Sequence, residues 1–413
     1  MSPKNGLIAA LDIGSTKVCA AIARVESDQR LRLLGLGQQI SKGLKSGTIV
    51  DMEALEVSIL NAVHSAEEMA SEVIQDITLS CSSAVLSQIG DVEMPIQGRE
   101  VIEDDLKHLF ARAQEDLRGH QGRTLQNHEL IHAFPIGYTV DGNRGIRDPR
   151  GMFCERLGVS LHVVNFPSTI VRNLIQCVAK CHLSLSQVVT PSYASSLSTL
   201  VEDEMDLGVT LVDIGGGVTS WATFLEGHCV SLGMIPLGGL HITSDIAQGL
   251  STPLVQAERL KTLYGSALPT VSDEKETIIV PQIGENQNTH AVQITKGSLN
   301  RIIKPRLEEI FEYLKVKLDQ TGPFKGGTRR IVLTGGTSQM FGLKDLASQV
   351  LARQVRLGKP LHIRGLSETS SNPSFSTVLG LLNFSSGRYK QNLFLNMDQP
   401  SFKSRFTSLF KKR

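Results

Sequence analysis

The chain has 413 residues, of which 41% are hydrophobic and 20% are charged, as is typical of a globular protein with two or three domains. Its 42 basic and 41 acidic residues leave a net charge of +1, so no overall field attracts nucleic acid, and we expect no nucleic-acid partner. The N-terminus lacks the pattern of a secretion signal, and no apolar run approaches about 18 residues, which argues against a conventional membrane-spanning helix and indicates the cytosol.

The six cysteines are scattered, without CxxC pairs or histidines at metal-ligand spacing. Cys177 and Cys181 are four positions apart and share one face of a predicted helix. We interpret them as small core residues, with a metal or redox pair as the alternative. Direct metal ligation by protein side chains is therefore not expected.

The first predicted element is a strand, a tight turn and a second strand. Residues 6–13, GLIAALDI, are an apolar run that ends in a carboxylate; GSTK follows as a turn, and VCAAIARV is a second apolar run. Residues 51–75 then show helical spacing of apolar side chains, and residues 76–82 return to strand. The helical spacing is carried by Leu55, Ile59, Val63 and Ala66. Alternating helices and strands indicate an α/β fold.

The composition changes between residues 84 and 165, where charged residues, histidines and glycine-rich turns accumulate and a strand-like LGVSLHVVNF closes the segment. We predict a small α+β module inserted into the first domain. Residues 208–227 then repeat the opening pattern of apolar run, Asp, glycine turn and second run. Asp12 and Asp213 occupy equivalent places, which predicts two domains of common design.

The last third of the chain is predicted to hold two helices, at 251–264 and 296–319, and a strand with a Gly-Gly turn within residues 330–343, RIVLTGGTSQMFGL. After about Ser385 the pattern becomes polar and predicts a flexible linker.

The glycine turns are suited to binding a nucleotide triphosphate. Such a ligand needs backbone N–H groups close to its phosphates, which glycine permits, and a carboxylate near its magnesium ion. DIGSTK and DIGGGVT could supply both from opposite sides, although either turn alone could be an ordinary β-hairpin. The sequence contains no GxxxxGK[ST] motif and no GxGxxG motif between a strand and a helix, so another kind of phosphate cradle is required.

LDIGSTK, VDIGGGVT and IVLTGGTSQMFGL together resemble the phosphate and adenosine loops of the actin, heat-shock-70 and sugar-kinase superfamily. Within it, four longer stretches resemble the bacterial cell-division family FtsA: GLKSGTIVDMEALEVSILNAVHSAEEMA, GIRDPRGMFCERLGVSLHVV, SYASSLSTLVEDEMDLGVTLVDIGGG and VLGLLNF. The resemblance covers essentially the whole chain. It implies an α/β, actin-like two-domain ATPase fold with an inserted α+β subdomain in domain 1 and a C-terminal amphipathic helix.

The resemblance also implies a division of the chain. The expected parts are subdomain 1A at 1–83, 166–195 and 372–385, inserted subdomain 1C at 84–165, subdomain 2A at 196–243 and 328–371, subdomain 2B at 244–327, a linker at 386–400 and a membrane-targeting helix at 401–413.

ATP and Mg²⁺ are the cofactors that the resemblance implies. Asp12 and Asp213 would lie near magnesium through water. AERLK resembles a superfamily helix whose Glu and Lys, here Glu258 and Lys261, contact ribose and adenine, with a solvated helix face as the alternative. The other implied nucleotide contacts are Gly14, Ser15, Thr16, Lys17, Gly215, Gly216, Gly217, Thr219, Gly335, Gly336, Thr337 and Met340.

Relatives that hydrolyse ATP place a water-positioning Gln or Glu before the second hairpin, whereas this chain reads VTPSYASS, with Thr190, Pro191 and Ser192. We therefore predict an ATP-binding protein, not an enzyme, with at most weak hydrolysis and no catalytic residue.

The family resemblance implies four partners: the C-terminal peptide of the tubulin-like FtsZ, further copies of the chain in actin-like filaments, later septal membrane proteins and an anionic inner membrane. Arg301, Lys304 and Arg306 fall within two helical turns and form a candidate basic face for the FtsZ peptide, with a solvated helix face as the alternative.

The tail SFKSRFTSLFKKR has the pattern of a helix that lies in a membrane interface. On a helical wheel, Phe402, Phe406, Leu409 and Phe410 share one face. The surrounding basic residues are Lys403, Arg405, Lys411, Lys412 and Arg413. A packed core helix is the alternative. The expected location is the cytoplasmic face of the inner membrane at the division site, as a peripheral protein.

Two rival functions follow from the same superfamily. A small-molecule kinase would need a catalytic base and would gain nothing from the basic tail. A heat-shock-70-like chaperone would need a sizeable peptide-binding domain, for which the residues after Ser385 are too few. We therefore predict an adaptor that tethers FtsZ filaments to the membrane, helps to assemble the septal ring and recruits later division proteins.

Overall fold

Two five-stranded sheets of the same design form the centre of the molecule. The computed structural model describes residues 6–82, 85–119, 127–283, 291–320, 328–368 and 370–387. When the strands of each sheet are counted in chain order, they lie side by side as third, second, first, fourth and fifth in both sheets. In each sheet three antiparallel strands are followed by two strands parallel to the first. The internal duplication expected from the two Asp-Ile-Gly turns is thus confirmed.

The strands of the first sheet are β1 (Leu7–Ile13), β2 (Lys17–Val25), β3 (Leu31–Ile40), β6 (Asp76–Cys81) and β11 (Ser184–Val189). Those of the second are β12 (Val209–Ile214), β13 (Thr219–Leu225), β14 (His228–Ile235), β17 (Arg330–Thr334) and β18 (Gln354–Leu357). Every residue of β12 is buried, as expected for a strand covered on both faces. A small ribbon of β4 (Leu44–Lys45) and β5 (Thr48–Ile49) follows β3.

Helix α1 (Met52–Ala70) covers the first sheet, and α3 (Ser168–Lys180) packs beside it. The side chain of Asp51 accepts a hydrogen bond from the backbone N–H of Ala54 and caps the start of α1. The predicted apolar stripe of this helix is confirmed, since all four of its residues are buried. These are Leu55, Ile59, Val63 and Ala66.

The inserted module is a four-stranded antiparallel sheet with its own core. Its elements are β7 (Leu86–Glu100), α2 (Glu103–Gly119), β8 (His128–Val140), β9 (Asn143–Ile146) and β10 (Phe153–Pro167), with the strand order β7-β10-β8-β9. Leu109 and Phe110 of α2 pack on the sheet beside Tyr138 and Leu157. LGVSLHVVNF lies within β10, as predicted.

The second domain carries an outer group of helices beyond its sheet. The elements are α5 (Glu202–Leu207), α6 (Gly239–Gly249), α7 (Leu254–Tyr264), the ribbon β15 (Thr277–Pro281) and β16 (Ala291–Thr295), α8 (Lys296–Asp319) and α9 (Leu343–Leu351). One side of α8 is buried against α6, α9 and the sheet through residues such as Leu307, Phe311 and Leu314.

Two short helices run between the domains and cross each other. They are α4 (Pro191–Thr199) and α10 (Ser376–Ser385). At the crossing, a Cβ on Gly380 would lie 1.7 Å from the carbonyl oxygen of Ala194, so only glycine allows this approach. Both helices contribute to the core shared by the two sheets, through Tyr193 and Leu197 on one side and Leu381 on the other.

The cysteines fit the core interpretation. Five of them, including Cys177 and Cys181, are free and buried. The thiols of Cys177 and Cys181 point toward the backbone oxygens of Met52 and Glu56, on α1 and within reach of weak hydrogen bonds. Over the described ranges no group of three His, Cys, Asp or Glu side chains could hold a metal ion, and no helix is long and apolar enough to cross a membrane.

Candidate functional site

The turns after β1 and β12 face each other across a cleft of about 720 Å³ between the two domains. Fifteen of the sixteen residues expected to contact a nucleotide line this cleft. They are Asp12, Gly14, Ser15, Thr16, Lys17, Asp213, Gly215, Gly216, Gly217, Glu258, Lys261, Gly335, Gly336, Thr337 and Met340. Thr219 lies outside the lining: it is fully buried, and its hydroxyl donates to the Leu237 carbonyl at 2.9 Å.

The two turns have the same backbone geometry. The N–H of Gly14 donates to the Lys17 carbonyl at 3.0 Å, and the N–H of Gly215 donates to the Val218 carbonyl at 3.0 Å. The start of α6 also supports the second turn, because the Gly239 N–H donates to the Gly215 carbonyl at 3.0 Å. Both turns therefore present backbone amide groups at fixed positions around the cleft, and the first turn adds the hydroxyls of Ser15 and Thr16.

The tips of the turns approach so closely that side chains on the glycines would collide with the opposite turn. A Cβ on Gly216 would lie 2.2 Å from Cγ2 of Thr16, and one on Gly217 would lie 2.3 Å from Oγ of Ser15. Glycine is thus required for the approach of the two domains at this point.

Two buried carboxylates stand at the base of the cleft. The pKa of Asp12 is raised to about 7, mainly by burial and also by the nearby charge of Asp213, while Lys17 opposes both effects. Burial also raises the pKa of Asp213, against the hydrogen bonds that its Oδ2 accepts from Ser195 Oγ at 2.6 Å and from Thr377 Oγ1 at 3.2 Å. Two buried carboxylates whose charged forms are disfavoured in this way favour a nearby cation.

Lys17 carries a positive charge in the cleft, and the structure fixes its position. Its ammonium donates to Ser374 Oγ at 3.0 Å and lies 3.6 Å from the centre of the Phe375 ring. Both partners belong to the short 3-10 turn Pro373–Phe375, which precedes α10. The chain segment that leads into α10 therefore forms part of the cleft wall.

The residues present fit a magnesium-bound nucleotide. The hydroxyl of Ser15 is buried with no hydrogen-bond partner among the described atoms, as expected of a group that donates to a ligand. The glycines line the cleft without side chains that would keep phosphate oxygens away from the backbone, and the paired carboxylates provide the oxygen-rich surroundings that Mg²⁺ prefers.

The other side of the cleft is built from α7 and the Gly-Gly turn. The Lys261 ammonium donates to Glu258 Oε2 at 2.7 Å, to Thr243 Oγ1 at 2.8 Å and to the Gly239 carbonyl at 3.0 Å. Burial lowers the pKa of Lys261, while Glu258 raises it. Thr337 Oγ1 donates to the Gly215 carbonyl at 3.1 Å and so links this side to the phosphate turns.

Several lining residues were missed by sequence reasoning. They include Gln38, Gly239, Leu263, Phe341, Ser374 and Thr377. Gln38 contributes an amide to a cleft for which no water-positioning side chain was expected. Of Thr190, Pro191 and Ser192, only Pro191 reaches the lining. Gln38 lies near the end of β3 and Thr377 near the start of α10, both outside the glycine turns by which the predicted residues were identified.

The candidate basic face on α8 is neutralised by neighbouring carboxylates. Arg301 pairs with Glu274 at 2.6 Å, Lys304 with Glu308 at 3.6 Å, and Arg306 with Asp245 at 2.6 Å. A peptide would have to compete with these ion pairs. The residues of the predicted membrane helix, 401–413, lie outside the described residues, as does most of the linker at 386–400.

Comparisons with known proteins agree with this architecture. The family model for cell division protein FtsA matches residues 210–380, and the model for the SHS2 domain inserted in FtsA matches residues 83–165. The cell division protein FtsA of Agrobacterium fabrum is 40% identical over 395 residues, covering 92% of this chain and 87% of its own length. That of Escherichia coli is 32% identical over 386 residues, covering 92% and 90%.

Solved structures show the same fold at low identity. The structure of a PilM–PilN type IV pilus biogenesis complex superposes with a TM-score of 0.65 at 17% identity, over 92% of this chain and 98% of that one. MreB5 of Spiroplasma citri bound to ADP superposes with a TM-score of 0.54 at 15% identity, over 94% and 99%. These likenesses establish the actin-like fold.

Proposed function

Because the chain belongs to the FtsA family of cell division proteins, we propose that it binds ATP with Mg²⁺ and tethers FtsZ filaments to the cytoplasmic membrane. In this role it assembles with further copies of itself, helps to form the septal ring and recruits later division proteins. The observation that carries the proposal is the cleft, in which both aspartate turns and the Gly335–Gly336 turn converge.

The arrangement of charge and backbone supports ATP as the ligand. Gly14, Ser15 and Lys17 would bind phosphate oxygens from the first domain, and Gly215 to Gly217 would do so from the second. A bound Mg²⁺ would neutralise phosphate charge next to Asp12 and Asp213, with water between the metal and the carboxylates. Glu258 and Lys261 stand where a nucleoside would extend from the phosphates. MreB5 has also been solved with AMPPNP, on the same fold.

ATP acts in this proposal as a structural ligand, with at most weak hydrolysis. No carboxylate or amide side chain from the Thr190–Ser192 segment reaches the cleft, and Gln38, on the strand that pairs with the one after the first phosphate turn, supplies an amide to the lining. Slow turnover that Gln38→Ala abolishes would assign water positioning to this residue. A robust Mg²⁺-dependent ATPase of the purified protein would contradict the weak-hydrolysis part of the proposal.

Membrane attachment is assigned to the C-terminal segment. Its apolar face of Phe402, Phe406, Leu409 and Phe410 would enter the bilayer interface while its lysines and arginines meet lipid phosphates. One such helix binds reversibly, and an assembly that carries many of them binds more firmly through avidity.

Co-sedimentation with liposomes, with and without ATP and FtsZ, tests the proposal as a whole. We expect the full chain to bring FtsZ to anionic vesicles, and Phe406→Glu with Phe410→Glu to abolish this. A matched control places the same charge change in the linker, as Phe394→Glu with Leu395→Glu, and should leave vesicle binding intact. Unchanged binding by the tail variant would disprove the anchor.

A further inference from the structure

A second pocket, separate from the nucleotide cleft, has three arginines among its six lining residues. It encloses about 650 Å³ and is lined by Arg329, Arg330, Ser348, Ala352, Arg353 and Gln354. We propose that this arginine pocket binds the phosphate of an anionic phospholipid headgroup and forms a second membrane contact, on the body of the protein. The inference rests on the proposed function, because it needs the protein to lie at a membrane.

The pocket is built on rigid elements. Arg330 begins β17 and Gln354 begins β18, and the two residues pair in the parallel register. The Gln354 N–H donates to the Arg329 carbonyl at 3.0 Å, which ties the residue before β17 to the same place. The hydroxyl of Ser348, on α9, donates to the Arg353 carbonyl at 2.9 Å. The arginines are therefore held at fixed backbone positions.

The arginine pocket carries more positive charge than the neighbouring carboxylates neutralise. Arg353, with a side chain that is 9% exposed, pairs with Asp319 at 2.8 Å. Arg356, the next arginine along β18, pairs with Glu204 at 2.5 Å. Within the described ranges no carboxylate lies at ion-pair distance from Arg329 or Arg330, and both residues are exposed. Burial raises the pKa of Glu204, whereas Arg356 and, less strongly, Arg330 lower it, so this one carboxylate faces two arginines and leaves net positive charge at the mouth of the pocket.

Guanidinium groups suit a phosphate ligand. Each can donate two parallel hydrogen bonds to a phosphate, and a pair of them in a concave site surrounds the oxygens from more than one side. The overall charge of the chain is only +1, so the positive charge of this pocket is a local feature. It would turn this side of the protein toward an anionic surface.

The position of the pocket favours a lipid over a soluble phosphate compound. Strands β12 and β17 both end at the nucleotide cleft, so Arg329 and Arg330, at the start of β17, lie at the opposite end of the second domain. Helix α10 starts beside the cleft, where Thr377 contacts Asp213, and runs roughly 15 Å away from it over ten residues. The chain therefore leaves α10, on its way to the segment assigned to the membrane, at the same end of the molecule as the pocket.

Vesicle binding of the full chain tests this inference. The variant is Arg329→Gln with Arg330→Gln. The matched control is Arg172→Gln with Lys344→Gln, which removes the same charge from exposed positions elsewhere, Lys344 being at the cleft end of α9. The vesicles contain phosphatidylcholine alone, or phosphatidylcholine and phosphatidylglycerol in equal parts.

We expect the pocket variant to bind anionic vesicles about thirtyfold more weakly than the control, because each of the two basic residues contributes about 1 kcal/mol near an anionic surface. The difference in affinity should shrink at high salt and vanish on vesicles of phosphatidylcholine alone.

Equal affinities of variant and control on anionic vesicles would overturn the inference while leaving the tail anchor intact. Binding of inorganic pyrophosphate by the full chain that the variant loses, with vesicle affinity unchanged, would instead assign the pocket to a soluble anion. Loss of vesicle binding only in the Phe406→Glu and Phe410→Glu variant would also count against the pocket.

Discussion

Ser195 Oγ donates a hydrogen bond of 2.6 Å to Oδ2 of Asp213, so a helix between the domains holds the carboxylate of the second phosphate turn. Thr377, on the other interdomain helix, donates to the same oxygen at 3.2 Å, and its hydroxyl lies 2.9 Å from that of Ser195. All three side chains are buried. The position of Asp213 therefore depends on both helices that connect the domains.

Ser195→Ala should lower the free energy of unfolding by about 1–3 kcal/mol, because a buried carboxylate loses one of its two hydroxyl donors. Urea unfolding without nucleotide measures this. Ser196→Ala is the matched control, since the Ser196 hydroxyl donates only to the Ser192 carbonyl of its own helix, at 2.7 Å. An equal decrease in the free energy of unfolding in both variants would show that the hydrogen bond to Asp213 adds no stability beyond that of an ordinary bond within the helix.

Gly216→Ala should weaken ATP binding by about 1–3 kcal/mol, because the new methyl group would collide with Cγ2 of Thr16 and keep the turns apart. Isothermal titration calorimetry measures the affinity. Adding Thr16→Ser removes the colliding Cγ2, keeps the hydroxyl and should restore part of the affinity. Gly137→Ala, where the nearest atom lies 3.9 Å from the new Cβ, should change nothing.

Acid should loosen the contact between the inserted module and the second domain. His162 Nδ1 lies 2.8 Å from the Cys229 carbonyl, and its Nε2 lies 2.7 Å from Ser87 Oγ, so the neutral ring donates to the carbonyl and accepts from the hydroxyl. Burial lowers the pKa of His162 from 6.5 to about 4, against the hydrogen bond to Cys229. Burial likewise lowers the pKa of the neighbouring His132 to about 3, and His162 adds to this effect.

Since the folded-state pKa of His162 is below its unfolded value, its contribution to stability is complete above pH 6.5 and is lost as the pH falls toward 4. From His162 alone we expect a loss of about 2 kcal/mol between pH 6.5 and pH 5. Denaturant unfolding across this range should show a smaller slope for His162→Gln. His182→Asn, at an exposed position with positive φ that asparagine tolerates, is the control. Identical slopes for His162→Gln and the parent chain would contradict the assignment.

If Arg301 contacts the FtsZ peptide, freeing it from its ion pair should help binding. Glu274→Gln removes the partner of Arg301 and should tighten peptide binding a few-fold, since an exposed pair contributes about 0–1 kcal/mol. Arg301→Glu with Lys304→Glu should weaken it. Fluorescence anisotropy of the labelled peptide gives both affinities. No change in either variant would remove this face from the site.

The sequence predicted the parts of the cleft that carry a local signature. Asp12 and Asp213 were identifiable because each ends an apolar strand and precedes a glycine turn, and Gly335 because it follows β17 in the same way. Ser195 and Thr377 had no such signature: Ser195 is one of several serines in α4, and Thr377 meets Asp213 across 164 positions of sequence. Their role arises from the way the chain returns between the domains.

Distance along the sequence also explains why the sequence did not predict the ion pairs of the candidate basic face on α8. Helical spacing placed Arg301, Lys304 and Arg306 together, but it could not reveal the carboxylates that oppose them. Glu274 is 27 positions from Arg301, and Asp245 is 61 positions from Arg306. Charge patterns within one helix identify neighbours along that helix, whereas counter-charges supplied by tertiary packing require the fold.

The two interdomain helices touch where Gly380 meets the Ala194 carbonyl, and this contact would serve as a pivot between the domains. Two helices that touch at one point without an intervening side chain can pivot there more easily than they can slide, because sliding would bring side chains into the contact. A small rotation of the domains at the cleft then moves their far ends in the opposite sense. Those far ends carry Arg329 and the exit of the chain from α10, so opening and closing of the cleft would change the tilt of the end that we propose to face the membrane.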